Sequence, residues 1–237
     1  MMDEQTKLML RNKINILLEE ILDNKEESPF QIYCDMDGVL VDFEGGIVNT
    51  GNLLYDKISN NIEAYRNADK NDPAQKKMAL AYKYFKKVQE QYGPDKVGFT
   101  FKDFESRETG AKAFNQMMYW YIASNKKWWV DLDWAPGGKE LWAAINPMNP
   151  IILTSPVGTL SAEGKRVWCQ NHLGLSGNKV IVVDNKNIDT GDKIGILIDD
   201  RVKSIKAIES VGGIGILHVT GDVGTTLKTL EKILRNQ

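Results

Sequence analysis

Phe30-Gln31-Ile32-Tyr33-Cys34-Asp35-Met36-Asp37-Gly38-Val39-Leu40 is the stretch that decides the reading of this chain. Its first five residues are β-prone and mostly apolar, and the run stops abruptly at two carboxylates two residues apart, followed by glycine. Such a stretch reads as a buried strand that delivers acids at its C-terminal end. Chance yields Asp-x-Asp-Gly-apolar in about one chain in a hundred of this length, so the match gains its weight from elsewhere. A second acidic pair, Asp199-Asp200, ends another apolar run, Ile196-Leu197-Ile198.

Working outward, the runs Pro150 to Leu153, Val180 to Val183, Ile194 to Ile198 and Ile214 to Val219 are strand-like. Helical patterns separate several of them, over Ala162 to Leu173 and Val202 to Val211, and Thr225 to Leu234 closes the chain. Strand and helix in alternation predict an α/β fold, a doubly wound (Rossmann-like) parallel sheet, built from residues 29–43 and 150–237. Residues 44–149 differ in character, with helix-prone charged stretches such as Pro73 to Tyr92 and Thr109 to Asn125. They read as an inserted, mainly helical cap domain. Ligands of parallel α/β sheets sit beyond the carboxyl ends of the strands, so an insertion directly after the first strand is expected to cover Asp35. Residues 1–28 form an N-terminal helix, with Leu8, Met9, Ile14, Leu17, Leu18, Ile21 and Leu22 on one stripe. Docking on the chain's own core is the commoner fate of such a stripe; a contact to a second copy, giving a homodimer, is the alternative.

Parallel strands bring both acidic pairs to the same sheet edge. Four carboxylates meeting there repel one another unless a hard divalent cation lies between them, and oxygen-only ligands favour magnesium. Asp35, Asp37, Asp199 and Asp200 are therefore the candidate metal residues. The same set suits cleavage of a phosphate ester, with Asp35 as nucleophile and Asp37 as the acid that protonates the leaving oxygen and then deprotonates water. Thr154-Ser155-Pro156 follows the Ile151-Ile152-Leu153 run and places hydroxyl donors at a third strand end. Lys186, a few residues beyond the Val180 to Val183 run, is the candidate for neutralising the phosphoryl charge. Lys193 and Lys165 are alternatives for that role.

The remaining composition narrows the field. Lysine plus arginine number 30 against 32 acids, a net charge of −2 without a long basic run, so no duplex nucleic acid is expected as a partner. Two cysteines outside any CxxC pair and two histidines are too few for a zinc site. The N-terminal stretch carries charges throughout, which predicts neither a signal peptide nor a membrane span and makes the cytoplasm the expected location.

Taken in order, Asp35/Asp37, Thr154, Lys186 and Asp199/Asp200 resemble the motif set of the haloacid dehalogenase superfamily. The longer string Asp35-Met36-Asp37-Gly38-Val39-Leu40-Val41-Asp42-Phe43-Glu44-Gly45-Gly46 looks like the opening motif of the 5′(3′)-deoxyribonucleotidase family, and Thr154-Ser155-Pro156 and Leu197-Ile198-Asp199-Asp200-Arg201 are similar to its later motifs. The resemblance implies a magnesium-dependent phosphatase acting on a small phosphate monoester, a deoxyribonucleotide in that family, through an aspartyl-phosphate. It further implies magnesium held by Asp35, the Asp37 carbonyl and Asp200, and phosphate held by Thr154 and Lys186 with Ser155 nearby. Phe43 stands where that family has a base-pocket aromatic, and Trp128-Trp129 look like its cap aromatic pair, flat faces suited to a nucleobase. A sugar phosphate or a polynucleotide end are the alternative substrates for the same core.

Overall fold

The computed structural model describes residues 28–96, 98–105 and 113–235, with residues 5, 6, 8, 9, 12, 13 and 16 nearer the N-terminus. In chain order the elements are β1 (Phe30–Cys34), α1 (Phe43–Asn60), α2 (Ile62–Arg66), α3 (Lys76–Tyr92), α4 (Phe101–Glu105), α5 (Ala113–Ala123), α6 (Lys126–Val130) and α7 (Gly138–Ile145). There follow β2 (Ile151–Thr154), α8 (Thr159–Leu173), β3 (Val180–Val182), β4 (Ile194–Asp199), α9 (Val202–Glu209), β5 (Ile214–Leu217) and α10 (Val223–Arg235). All five expected strands form, and they make one parallel sheet in the order β3-β2-β1-β4-β5.

β1 is the central strand because it can be buried on both faces. Tyr33 lies level with Leu197 and Ile151, and this face carries a cluster of Tyr33, Leu153, Leu197 and Ile208 with Ile151, Ile181 and Val183 packed against it. Ile32 and Cys34 lie level with Ile196 and Ile198 and are buried on the opposite face. Register then decides the chemistry. Cys34 pairs with Ile198, and the Asp35 N–H donates to the Ile198 carbonyl at 2.9 Å, so the next step of the ladder sets Asp35 beside Asp199.

The chain divides into two compact units, residues 1–43, 130–156 and 162–237 in one and residues 44–129 and 157–161 in the other. The expected insertion therefore ends at Trp129 and not at Asn149. Residues 130–149 join the sheet unit because α7 buries Leu141, Trp142 and Ile145 and packs against α10. Its first residue, Gly138, sits so close to the loop after β1 that a Cβ there would lie 2.7 Å from the Leu40 carbonyl oxygen.

The second unit is helical, with its own core. α3 packs along α5, and Tyr55, Phe85, Phe99, Phe114, Met117, Met118 and Ile122 are buried. Phe99 stacks on Phe114 with ring centroids 4.3 Å apart, and Asn52 ties the segment down by accepting from the Phe99 N–H and donating to its carbonyl. Of the N-terminal stripe, Leu8 and Met9 are helical and exposed; Ile14, Leu17, Leu18, Ile21 and Leu22 lie outside the described residues, as do residues 109–112 at the start of the expected α5 segment. Among the described residues no helix is long and apolar enough to cross a membrane.

Candidate active site

The site is built in the sheet unit at the carboxyl ends of β1, β2 and β4. After Cys34 the chain makes a short closed loop. The Leu40 and Val41 N–H groups both donate to the Met36 carbonyl, and the Gly38 N–H donates to the Val41 carbonyl. Met36, Val39, Leu40 and Val41 are fully buried, so the apolar residues of the motif plug the loop into the core while the aspartates face the sheet edge. Gly38 has φ of 75°, and a Cβ there would stand 2.3 Å from Asp200 Oδ2. Both facts demand glycine. Thr220, just beyond β5, donates its hydroxyl to the Gly38 carbonyl at 2.6 Å and fastens the loop from the far side. The sequence reading missed Thr220, although its position after the fifth strand put it at the same edge.

Asp35 is buried, and its Oδ1 lies 2.7 Å from Lys186 Nζ. The same ammonium donates to Asp199 Oδ2 at 2.6 Å, and the other Asp199 oxygen accepts from the Arg201 N–H at 2.8 Å. Lys165, projecting from α8 and wholly buried, donates to Asp37 Oδ2 at 2.6 Å, Thr154 Oγ1 at 2.9 Å and the Ser155 carbonyl at 2.7 Å. Two of the three candidate lysines thus meet the carboxylates. Lys193 does not belong with them: it precedes β4, whereas Asp199 ends that strand, and six parallel-strand residues span about 20 Å.

One oxygen from each of Asp35, Asp199 and Asp200 falls within 4.8 Å of the others. Asp35 Oδ1 has the Lys186 ammonium as its partner, whereas Asp200 Oδ1 and Asp37 Oδ1 are buried and accept no hydrogen bond among the described residues. Buried carboxylate oxygens are rarely left unsatisfied, and an oxygen-only group of this size fits a hard divalent cation. Electrostatics agree. Burial, then the charges of Asp35, Asp199 and Asp37, push the Asp200 carboxyl up to about 7. Burial and Asp35 also raise Asp199, against the pull of Lys186. For Lys186 burial works downward, but Asp35 and Asp199 outweigh it and raise the ammonium. Burial raises Asp37 as well, with Lys165 opposing.

Two expected outcomes follow from this geometry. Gly38→Ala should cost stability and weaken any divalent-cation binding by the cluster, since its Cβ displaces the Asp200 carboxylate; a melting temperature and a magnesium-induced thermal shift that both match wild type would contradict it. The second concerns pH. The unfolded Asp200 pKa is about 3.9, so between about pH 4 and pH 7 the metal-free folded chain holds the extra proton and its stability falls as pH rises. A cation favours the ionised form and offsets that loss, so the magnesium-induced rise in Tm should be larger near pH 8 than near pH 5. An equal rise at both would separate Asp200 from the metal.

The aromatic candidates fare differently. Phe43 opens α1 and remains partly exposed. Trp128 and Trp129 are buried inside the helical unit, edge to face at 4.8 Å, with their indole N–H groups donating to Thr50 Oγ1 and the Ile122 carbonyl. Neither offers an open face for stacking, so the substrate-binding reading of this pair is withdrawn. Thr154 ends β2 and is fully buried, with Ser155 next to it.

No family model matches the chain, and no curated protein does. Among solved structures it is similar to a hydrolase from Streptococcus pneumoniae, at 11% identity over 88% of this chain and 99% of that one, TM-score 0.40. It is also similar to a HAD family hydrolase from Deinococcus radiodurans with bound phosphate and sodium, at 16% identity over 86% and 89%, TM-score 0.39. A β-phosphoglucomutase from Clostridium difficile aligns at 19% identity over 78% and 82%, TM-score 0.31.

Proposed function

We propose that the chain is a magnesium-dependent phosphatase of the haloacid dehalogenase type that hydrolyses a nucleoside monophosphate, a deoxyribonucleotide by preference, through an aspartyl-phosphate on Asp35. The observation that carries this reading is the pairing of a buried, strand-end Asp35 with Lys186, beside a second carboxylate two residues on that has one unengaged oxygen. Magnesium held by Asp35, Asp200 and the Asp37 carbonyl would neutralise the charge of the transferring phosphoryl group. Asp199, whose two oxygens already accept hydrogen bonds, serves to hold Lys186.

An Asp35 oxygen attacks phosphorus and the ester bond to the leaving oxygen breaks. Asp37, whose carboxyl is shifted upward by burial against the pull of Lys165, gives a proton to that oxygen. The same carboxylate then takes a proton from water, which attacks the phosphorus of the acyl phosphate and restores Asp35. An ammonium has three donors. Lys186 spends two directions on carboxylates and retains one for a phosphoryl oxygen, whereas all three of Lys165 are spent within the protein. Thr154 accepts from Lys165 and keeps its own hydroxyl proton to donate, with Ser155 beside it.

The nucleotide preference rests on the motif running from Asp35 to Gly46 and on Phe43. The test is phosphate release from 5′- and 3′-deoxynucleotides, ribonucleotides and sugar phosphates, with magnesium and with chelator. Magnesium-dependent turnover favouring deoxynucleotides supports the whole reading. Turnover confined to sugar phosphates keeps the chemistry and discards the substrate, and turnover undiminished by chelator discards the metal.

A further inference from the structure

Lys165 is the one buried charge among the described residues that the chemistry above leaves without a part. It occupies a slot on α8 that ordinarily takes an apolar side chain, followed on the same helix by the buried Trp168 and Cys169. Burying an ammonium is costly unless every donor is matched, and here each one is: Asp37 Oδ2, Thr154 Oγ1 and the Ser155 carbonyl. The three acceptors lie at or just beyond two strand ends, those of β1 and β2. A methionine or leucine would fill the slot without the cost, so the contacts are what the lysine adds.

We propose that Lys165 is a positioning residue for proton transfer: it clamps Asp37 through Oδ2, fixes the side-chain torsions, and leaves Oδ1 as the oxygen that delivers the proton to the leaving group. The asymmetry of Asp37 is the supporting observation, since Oδ2 is bound at 2.6 Å while Oδ1 accepts nothing among the described residues. Through Thr154 the same ammonium also fixes the hydroxyl on the phosphoryl side, so that one side chain sets the distance between the group that grips phosphate and the group that protonates the ester oxygen. Holding reacting groups in register in this way is worth large rate factors. The inference rests on the phosphatase reading above and assigns it a residue that does not touch substrate.

The test exploits the leaving group. A nitrophenolate leaves without help from an acid, whereas an alkoxide needs its proton. In Lys165→Met, kcat/KM should fall about a hundredfold or more for an alkyl phosphate such as a nucleoside monophosphate or glycerol phosphate, and less than about tenfold for p-nitrophenyl phosphate. Asp37→Asn should show the same selectivity. Because both substrates are measured on one protein sample, the ratio is independent of the fraction folded, and Lys165→Gln serves if the methionine variant does not fold. An equal fall on both substrates, or none, overturns the positioning role and leaves the phosphatase reading intact. Wild-type protein that cleaves neither substrate overturns both.

Discussion

Asp35→Asn is expected to abolish phosphate release, lowering kcat by more than about ten-thousand-fold, the scale on which enzymes lose activity with their nucleophile. The amide keeps the shape of the carboxylate, so β1 and its register with β4 are undisturbed, and the Asp35 N–H still donates to Ile198. What is lost is the attacking lone pair in its ionised form. The fold should survive with little change in Tm without metal, because removing one of several crowded negative charges offsets the loss of the Lys186 ion pair. Phosphate release measured on the variant, with thermal melting as the control, separates these statements. Activity within tenfold of wild type would remove Asp35 from the chemistry.

Lys186→Met is expected to have the largest effect on stability. Lys186 is 5% exposed and stands between two carboxylates that are themselves buried. Removing the cation leaves Asp35 and Asp199 facing each other without a counter-charge, and breaking a buried ion pair in this way costs about 3–5 kcal/mol. In a chain of this size that is roughly a 10 °C drop in Tm. Burial and Asp35 already raise the Asp199 carboxyl, so acidification, by protonating it, should narrow the gap between variant and wild type. The comparison is made by urea unfolding near pH 5 and near pH 8. A loss below about 1 kcal/mol at both would show that the lysine is not what holds the two aspartates together. Turnover should vanish alongside, since the same ammonium faces the phosphoryl group in the proposed mechanism.

How far these side chains could be foreseen follows from the kind of signal each leaves. The sheet was legible because a strand buried on both faces is a short apolar run, and each of the five runs is bounded by polar or turn residues. The acids were legible because they terminate two such runs, and parallel strands carry their ends to one edge. Lys186 was placed only loosely, since the distance from β3 along residues 183–193 says nothing about how that segment folds back; Thr190 accomplishes it in part by donating to the Lys193 carbonyl. Lys165 lies in Glu163-Gly164-Lys165-Arg166, which reads as a solvated helix face. Its burial depends on the rotation of α8 against β2, a tertiary fact without a local signature. Trp128 and Trp129 failed for the mirror-image reason: an aromatic pair has the same sequence whether it stacks on a ligand or closes a core. The end of the helical unit was misplaced because α7 looks like its helical neighbours until its packing against α10 is seen.

The covalent intermediate on Asp35 is the central claim, and the stereochemistry at phosphorus tests it most directly. A substrate whose phosphoryl group is made chiral with oxygen isotopes is hydrolysed and the configuration of the released phosphate is determined. Two successive in-line displacements, first by Asp35 and then by water, predict net retention. Net inversion would mean a single direct attack by water, and would contradict the account.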